Sequence, residues 1–418
     1  MASRRLLKRV AVVVGVLAAA HIAWTYMEKR AFERRISDLR AAKQPLYTTD
    51  FATAPIPYLH NAAELLEQAA AWLEEHRDAE DDNHLWSGLD TGTEDWVEKD
   101  WQRATAYLEQ LAPYYAMVEE IPKRPRWWLD LDWEDGPGTG VHAIRWVREV
   151  DKYTRYRVKY DRVEARRTER AARAAVFLLD LADRCRFPFL IGHLVVETLR
   201  DSDAVLRLAA KQPGFDARLF RERVDPRLAR TLRQRGPPAA PLREERTIAL
   251  WVVRAWLAGD SIGFPDDRIE RNALWRPMLY RDACRTLDMY KWAIAACGVR
   301  PEDAGAVRKR LWEEQEEVPA VCPLTAMHGV LPVRLFDQYI ASTAKRRLTR
   351  VVMTLLEYRQ THGEWPQDLA DLGKLPLDPY SDGPFLYERR GKGARIRSAH
   401  PGPWELLLMD RLAWSWDE

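Results

Sequence analysis

Residues 61–76, Asn-Ala-Ala-Glu-Leu-Leu-Glu-Gln-Ala-Ala-Ala-Trp-Leu-Glu-Glu-His, decide the fold class. Ala62, Leu65, Leu66, Ala69, Trp72 and Leu73 recur at three- and four-residue spacing, which puts them on one face of a helix begun by Asn61 as N-cap. Trp101, Ala104, Tyr107, Leu108 and Leu111 repeat the pattern in a helix over about 96–112, ended or kinked by Pro113. Together the two read as a helical hairpin. Two further helices are expected within 141–209, the first laced with Arg and with carboxylates such as Glu149, Asp151, Asp161, Glu164 and Glu169. Those charges read as i,i+4 pairs on a solvated face rather than as a basic binding patch. After the break Arg186-Phe187-Pro188-Phe189, a helix over 190–208 is expected, its first half apolar. Gly236-Pro237-Pro238-Ala239-Ala240-Pro241 is the clearest linker, between two helical layers. Helices then follow over 242–258, stopped by Gly259, and over 281–297, stopped by Gly298. A last one over 331–360 would be about 45 Å long.

Ahead of this body lies an apolar run from Val10 to Met27, broken by His21 and Thr25 and preceded by Arg4, Arg5, Lys8 and Arg9. Its 18 residues nearly cross a hydrocarbon core, and Trp24 and Tyr26 stand where an interfacial aromatic belt belongs. Val10 to Ala20 also has the length of a signal-peptide core, with Ala18-Ala19-Ala20 as a small-residue cleavage site. Apolarity continuing past Ala20 favours a retained anchor. Lys29, Arg30, Arg34, Arg35 and Arg40 load the far flank as heavily as the near one, so counting positive charges does not orient the span. A cytoplasmic N-terminus is favoured, because a short basic tail is retained while a large domain is exported whatever its charge. Residues 27–43 form a charged helical stalk that Pro45, Pro55 and Pro57 end.

The 418 residues have room for roughly two or three domains. Hydrophobic residues at 47% fill cores, and a net charge of +2 gives no field that would recruit nucleic acid. Cys185, Cys284, Cys297 and Cys322 are too few and too scattered for a disulfide scaffold or a zinc site, and read as buried thiols. In an oxidising compartment, Cys284 with Cys297 is the pair to test first.

Toward the C-terminus, Arg347-Leu348-Thr349-Arg350-Val351-Val352-Met353 is followed by Leu355-Leu356-Glu357-Tyr358-Arg359, Gly363-Glu364-Trp365-Pro366, Leu375-Pro376-Leu377-Asp378-Pro379-Tyr380 and Pro384-Phe385-Leu386-Tyr387. This order is similar to the globular head of type II secretion major pseudopilins. The resemblance spans roughly 60–70 residues and implies a helix, a short turn and then small strands. The residues alone read the same way: Gly363 ends a helix, Asp378-Pro379 turns the chain, and 389–393 make a hairpin turn into Ala394 to Ser398. Asp378 and Asp382 are expected to set turns rather than hold calcium. A pseudopilin carries its head directly on its anchor and has a Gly-Phe-type processing site. Here some 300 residues intervene and no such site occurs, so the chain is not a pilus subunit. The layout as a whole resembles a group of membrane-anchored bacterial envelope proteins of unassigned role, which implies the inner membrane, a single pass and an extracytoplasmic body.

Two motifs invite chemistry. Gly259-Asp260-Ser261-Ile262-Gly263 matches the G-x-S-x-G nucleophile elbow, with Asp337 and His362 following in hydrolase order. An elbow needs a strand before the Ser and a helix after it. An apolar helix precedes Ser261 and Phe264-Pro265 follows, so a helix C-cap and loop is the better reading. The loop Trp127-Trp128-Leu129-Asp130-Leu131-Asp132-Trp133-Glu134-Asp135-Gly136 combines three indoles with four carboxylates. Its indoles could stack on sugar rings; as a calcium loop it has Gly one place late and Val141 where the closing Glu belongs. An aromatic plug between helices is the plainer reading. His193 and Glu197 stand i,i+4 with no third metal ligand near, and no phosphate-binding Gly loop occurs, so neither a metal nor a cofactor is expected.

The expectation is a mainly α chain. Residues 1–30 form a transmembrane anchor, 31–140 a stalk, hairpin and Trp-rich loop, 141–340 a helical body, and 341–418 a small α+β cap. Its role is that of a tethered scaffold or interaction protein with the membrane (residues 10–27) and another envelope protein as partners. The alternative is an envelope hydrolase of glycan or ester substrates acting through Ser261 or the Trp127–Asp135 loop.

Overall fold

The computed structural model describes residues 2–51, 53–91, 96–129, 131, 141–185, 199, 202–234, 239–258, 273–297, 313, 323–381, 383–399 and 413–416. Its helices are α1 (Ala2–Ala41), α2 (Ala62–His76), α3 (Ala79–Thr91), α4 (Glu98–Gln110), α5 (Ala112–Glu120), α6 (Val141–Lys159), α7 (Glu164–Arg184), α8 (Ser202–Ala210), α9 (Ala217–Gln234), α10 (Ala239–Ala258), α11 (Arg276–Ala296) and α12 (Pro323–His362). Strands β1 (Leu386–Arg390), β2 (Gly393–Arg397) and β3 (Ala413–Trp416) form one antiparallel sheet in that order. The fold is mainly α with a small α+β tail, as the periodicity predicts.

Asn61 begins α2 by accepting from the Ala63 amide at 3.1 Å, and Ala62, Leu65, Leu66, Ala69 and Leu73 of its apolar face are buried, with Trp72 half-buried. The expected hairpin is not formed. Leu111 breaks the second helix, Pro113 starts α5 within its first two residues, and α3 intervenes, so α2 packs on α5 and α6 rather than on α4. The long charged helix divides likewise at Asp161 into α6 and α7. From α2 to α9 these helices enclose one continuous core, to which the end of α12 contributes Leu348, Val351, Val352 and Leu355. α7 and α9 lie side by side and parallel: the Asp216 amide donates to Thr168 Oγ1 at 2.8 Å, and Arg230 meets Asp183 at 3.4 Å.

A second core holds α10, α11 and, unexpectedly, the end of α1. Phe32, Ile248, Val252, Trp256, Leu279 and Leu287 pack together. The segment read as a stalk is therefore not free-standing. Arg35 clamps Asp288 with two bonds of 2.9 and 2.6 Å, and Arg254 donates to the Leu46 carbonyl at 2.7 Å just beyond the helix end. The first half of α1 is different: Val10–Ala41 contains an 18-residue window of mean hydropathy 1.9, none of it buried, so among the described residues there is one helix long and apolar enough to cross a membrane. α12 is longer than its periodicity suggests, at about 60 Å, and packs on both α11 and α9, meeting α9 over its last third. There Arg350 clamps Asp225 and Arg221 holds Glu357 at 2.5 Å.

The cysteines give a second correction. Cys284 lies in α11 and Cys297 caps its end, so 13 residues of helix, about 20 Å, hold them apart. A disulfide needs α-carbons within about 7 Å. Both, with Cys185, are buried free thiols. The linker begins outside the described residues, while Ala239 to Pro241 already belong to α10.

The tail is bound to the main core. Gly363 ends α12 at a φ of +76°, a conformation that favours glycine. Trp365 is buried, packs in a tilted pair with Trp416 at 4.5 Å between ring centroids and donates from Nε1 to the Lys392 carbonyl at 3.1 Å. Trp414 Nε1 donates to Asp203 in α8 at 2.8 Å. Asp378 is a fully buried turn former, accepting from the Tyr380 and Ala399 amides and the Ser398 hydroxyl at 3.1, 2.7 and 2.7 Å.

Candidate functional site

Of the residues the sequence singles out, Ser261 with its Gly259–Gly263 motif, His193 and Glu197 lie outside the described residues, as do Asp130, Asp132, Trp133 and Glu134. Trp127 and Trp128 are described. Trp127 is half-buried and packs against the main core. Trp128 donates its amide to Asn61 Oδ1 at 2.9 Å and its indole N–H to the Thr53 carbonyl at 3.0 Å. Asn61 thus caps α2 and holds the Trp loop at once. The Trp128 indole is hydrogen-bonded to the chain before α2, and the Trp127 ring lies against the core. Among the described residues, no group of three His, Cys, Asp or Glu side chains is placed to hold a metal.

The strongest polar constellation is one the motif search does not reach. Asp82 is buried in α3 and accepts from Tyr153 Oη and Lys152 Nζ, one on each carboxylate oxygen, both at 2.6 Å. Lys152 also sits 5.4 Å from the Trp86 ring centroid and 5.6 Å from that of Tyr156. A ladder of tyrosines surrounds the pair: Tyr115 Oη donates to the Tyr153 carbonyl at 2.8 Å and Tyr160 Oη to the Leu85 carbonyl at 2.5 Å. His84, Trp96 and Tyr160 stack, with Trp96 4.4 and 5.0 Å from its neighbours. Burial pushes the Tyr107 hydroxyl up to about 12 and lifts Tyr153 far above the ordinary range, the latter reinforced by its bond to Asp82. These phenols stay protonated, and each Asp82 oxygen has its donor. The constellation locks α3 to α6.

The open site lies on α7. A cleft of 830 Å³ runs along this helix between α5 and α6 on one side and α9 on the other. Its α7 lining extends from Arg166 to Asp180, about 21 Å of helix. Seven cationic side chains face three carboxylates across it, over a strip that includes Val118, Pro122, Val176 and Phe177. Several cations are neutralised locally. Arg173 pairs with Glu169 and Arg157 with Glu119, both at 2.5 Å, Arg170 with Asp161 at 2.9 Å, and Arg227 with Asp180 at 3.5 Å. Arg166 and Arg223 are exposed and hold no ion pair among the described residues.

Searches of protein-family models, curated proteins and solved structures find no match to this chain. The site's chemistry must come from its geometry. The solvated-face reading of the Arg-rich helix holds for Arg155 with Asp151 and for Arg173 with Glu169, which are i,i+4 pairs. It does not account for Arg166 and Arg223. A mismatch was legible in α7, where Arg166, Arg167, Arg170 and Arg173 outnumber Glu164 and Glu169 over its first ten residues. That the excess would border a cleft depended on α9, a helix the periodicity did not announce.

Proposed function

We propose that this chain is a membrane-tethered extracytoplasmic scaffold of the bacterial inner membrane, whose helical body meets another component of the envelope. The observation that carries the reading is α1, one unbroken helix that is apolar and exposed in its first half and packed into the body in its second. Fourteen exposed apolar residues would be costly in water and are at home in lipid. The same helix is clamped by Arg35 and Asp288, so the anchor and the body are one piece. The pseudopilin-like tail, bound through Trp414 and Trp365, adds a rigid α+β surface suited to contact with a secretion-type assembly.

The test is protease accessibility in intact spheroplasts, together with carbonate extraction and sizing of the mature chain. The expected result is a full-length protein that resists extraction and whose body is digested only from outside. A body protected until lysis, or a chain released by carbonate, overturns the proposal. Cross-linked membranes should yield a second envelope protein on pull-down; recovery of this chain alone would count against the scaffold role.

A further inference from the structure

The α7 cleft carries an inference that does not depend on membrane tethering. A guanidinium keeps its proton in proteins, so Arg166 and Arg223 present charge and unfilled donors at every working pH. An ordinary charged helix face neutralises its ions within itself, as Arg173 and Glu169 do at 2.5 Å. Here two cations from different helices border the same cavity and are left over.

Charge and apolarity are also sorted along the cleft. Arg166, Arg170 and Arg173 belong to the first half of α7, the end where the helix dipole adds partial positive charge. Val176 and Phe177 belong to the second half and are only partly buried. Val118 and Pro122 extend that apolar strip across the cleft. Arg223 reaches in from α9, near enough to Glu169 for its charge to bear on that carboxylate. The volume of 830 Å³ lies within the range of small-molecule sites, about 300–1,000 Å³.

We infer that the cleft binds a small anionic amphiphile, its phosphate or carboxylate head held by Arg166 and Arg223 and its apolar body laid along Val176 and Phe177. Such a molecule could be an acidic lipid drawn from the bilayer or a soluble amphiphile, and the chemistry recognised is the same.

The full chain in phosphatidylcholine nanodiscs, with empty discs as blank, is titrated with n-hexyl phosphate, inorganic phosphate and n-hexanol by calorimetry. Hexyl phosphate should bind saturably at one site per chain, at least tenfold more tightly than either inorganic phosphate or hexanol. R166E/R223E, which removes both guanidiniums and sets two carboxylates against the anion, should weaken it about 100-fold. R166Q/R223Q should weaken it less. Because neither arginine holds an ion pair among the described residues, both double variants should keep the parent's circular dichroism and thermal midpoint. Phosphatidic acid built into the discs should displace hexyl phosphate if the bilayer supplies the ligand and leave it bound if the source is soluble; either result supports the site. Hexanol binding as tightly as hexyl phosphate, or undiminished binding by folded R166E/R223E, overturns the inference. A chain that binds hexyl phosphate yet is released from membranes overturns the tethering proposal alone.

Discussion

At the scale of single residues, the most consequential side chain is Asp82, because the groups it satisfies belong to another helix. Asp82→Asn removes the nearer carboxylate facing Lys152 while keeping the shape, leaving the largely buried ammonium with the more distant Glu149, at 4.0 Å. The expected loss is about 2–3 kcal/mol by urea unfolding, with the Lys152→Met variant of the D82N chain recovering part of it. Gly393 is constrained by contact: a Cβ there would lie 1.9 Å from the Trp416 carbonyl oxygen. Since that atom is backbone, β3 must shift. Gly393→Ala should cost about 1–3 kcal/mol and change the fluorescence of the Trp365, Trp414 and Trp416 cluster. No motif marks Asp82. The sequence does offer Tyr153, Tyr156 and Tyr160 at helical spacing, a face too polar to bury without partners. The identity of those partners is a tertiary matter.

At the scale of elements, periodicity locates helices well where one face is apolar, as in α2. It fails where packing decides. Pro113 does end α4 where expected, but Asp161 marks a division with no proline at the break, and α9 carries Pro226 inside it, against the usual rule. The pairing of α2 with α5 was hidden because hairpin logic assumes that successive long helices are neighbours. Asn61, which accepts from the Trp128 amide, is visible in the sequence only as a cap. The second half of α1 is where a test has most leverage. Phe32→Ala with Arg35→Ala should cost about 3 kcal/mol of docking, chiefly from the lost aromatic, and raise the undocked population roughly a hundredfold. Limited trypsinolysis should then cut at Arg34 and Arg40 while the body stays intact; unchanged cleavage would mean that α1 holds its place without these side chains.

For the molecule as a whole, alkaline pH probes both cores at once. Burial raises the Cys284 thiol from its ordinary 9.0 to about 11, Cys297 to about 12, and Tyr107 in the other core from 10.0 to about 12. A folded-state pKa above the unfolded one means that the native protein holds its proton longer, so these contributions are complete below about pH 9 and are lost as pH climbs through 11–12. The thermal midpoint should fall between pH 9 and 11, and Cys284→Ala should flatten that slope in the second core. At pH 8, peptide mapping after a thiol reagent should find Cys185, Cys284 and Cys297 unlabelled until denaturant is added.

The unbroken run of α1 from lipid-compatible helix to docked helix also sets a geometry of approach. From Met27 to the end of the helix at Ala41 there are about 21 Å of rigid rise, and docking begins within the first turn or two of it. On the proposed anchoring, a body so mounted would keep a fixed altitude and heading over the bilayer, like a turret on its deck rather than a buoy on a line. A partner under that proposal would have to come to that height and that bearing, and collisions in the plane of the membrane would replace a search through three dimensions.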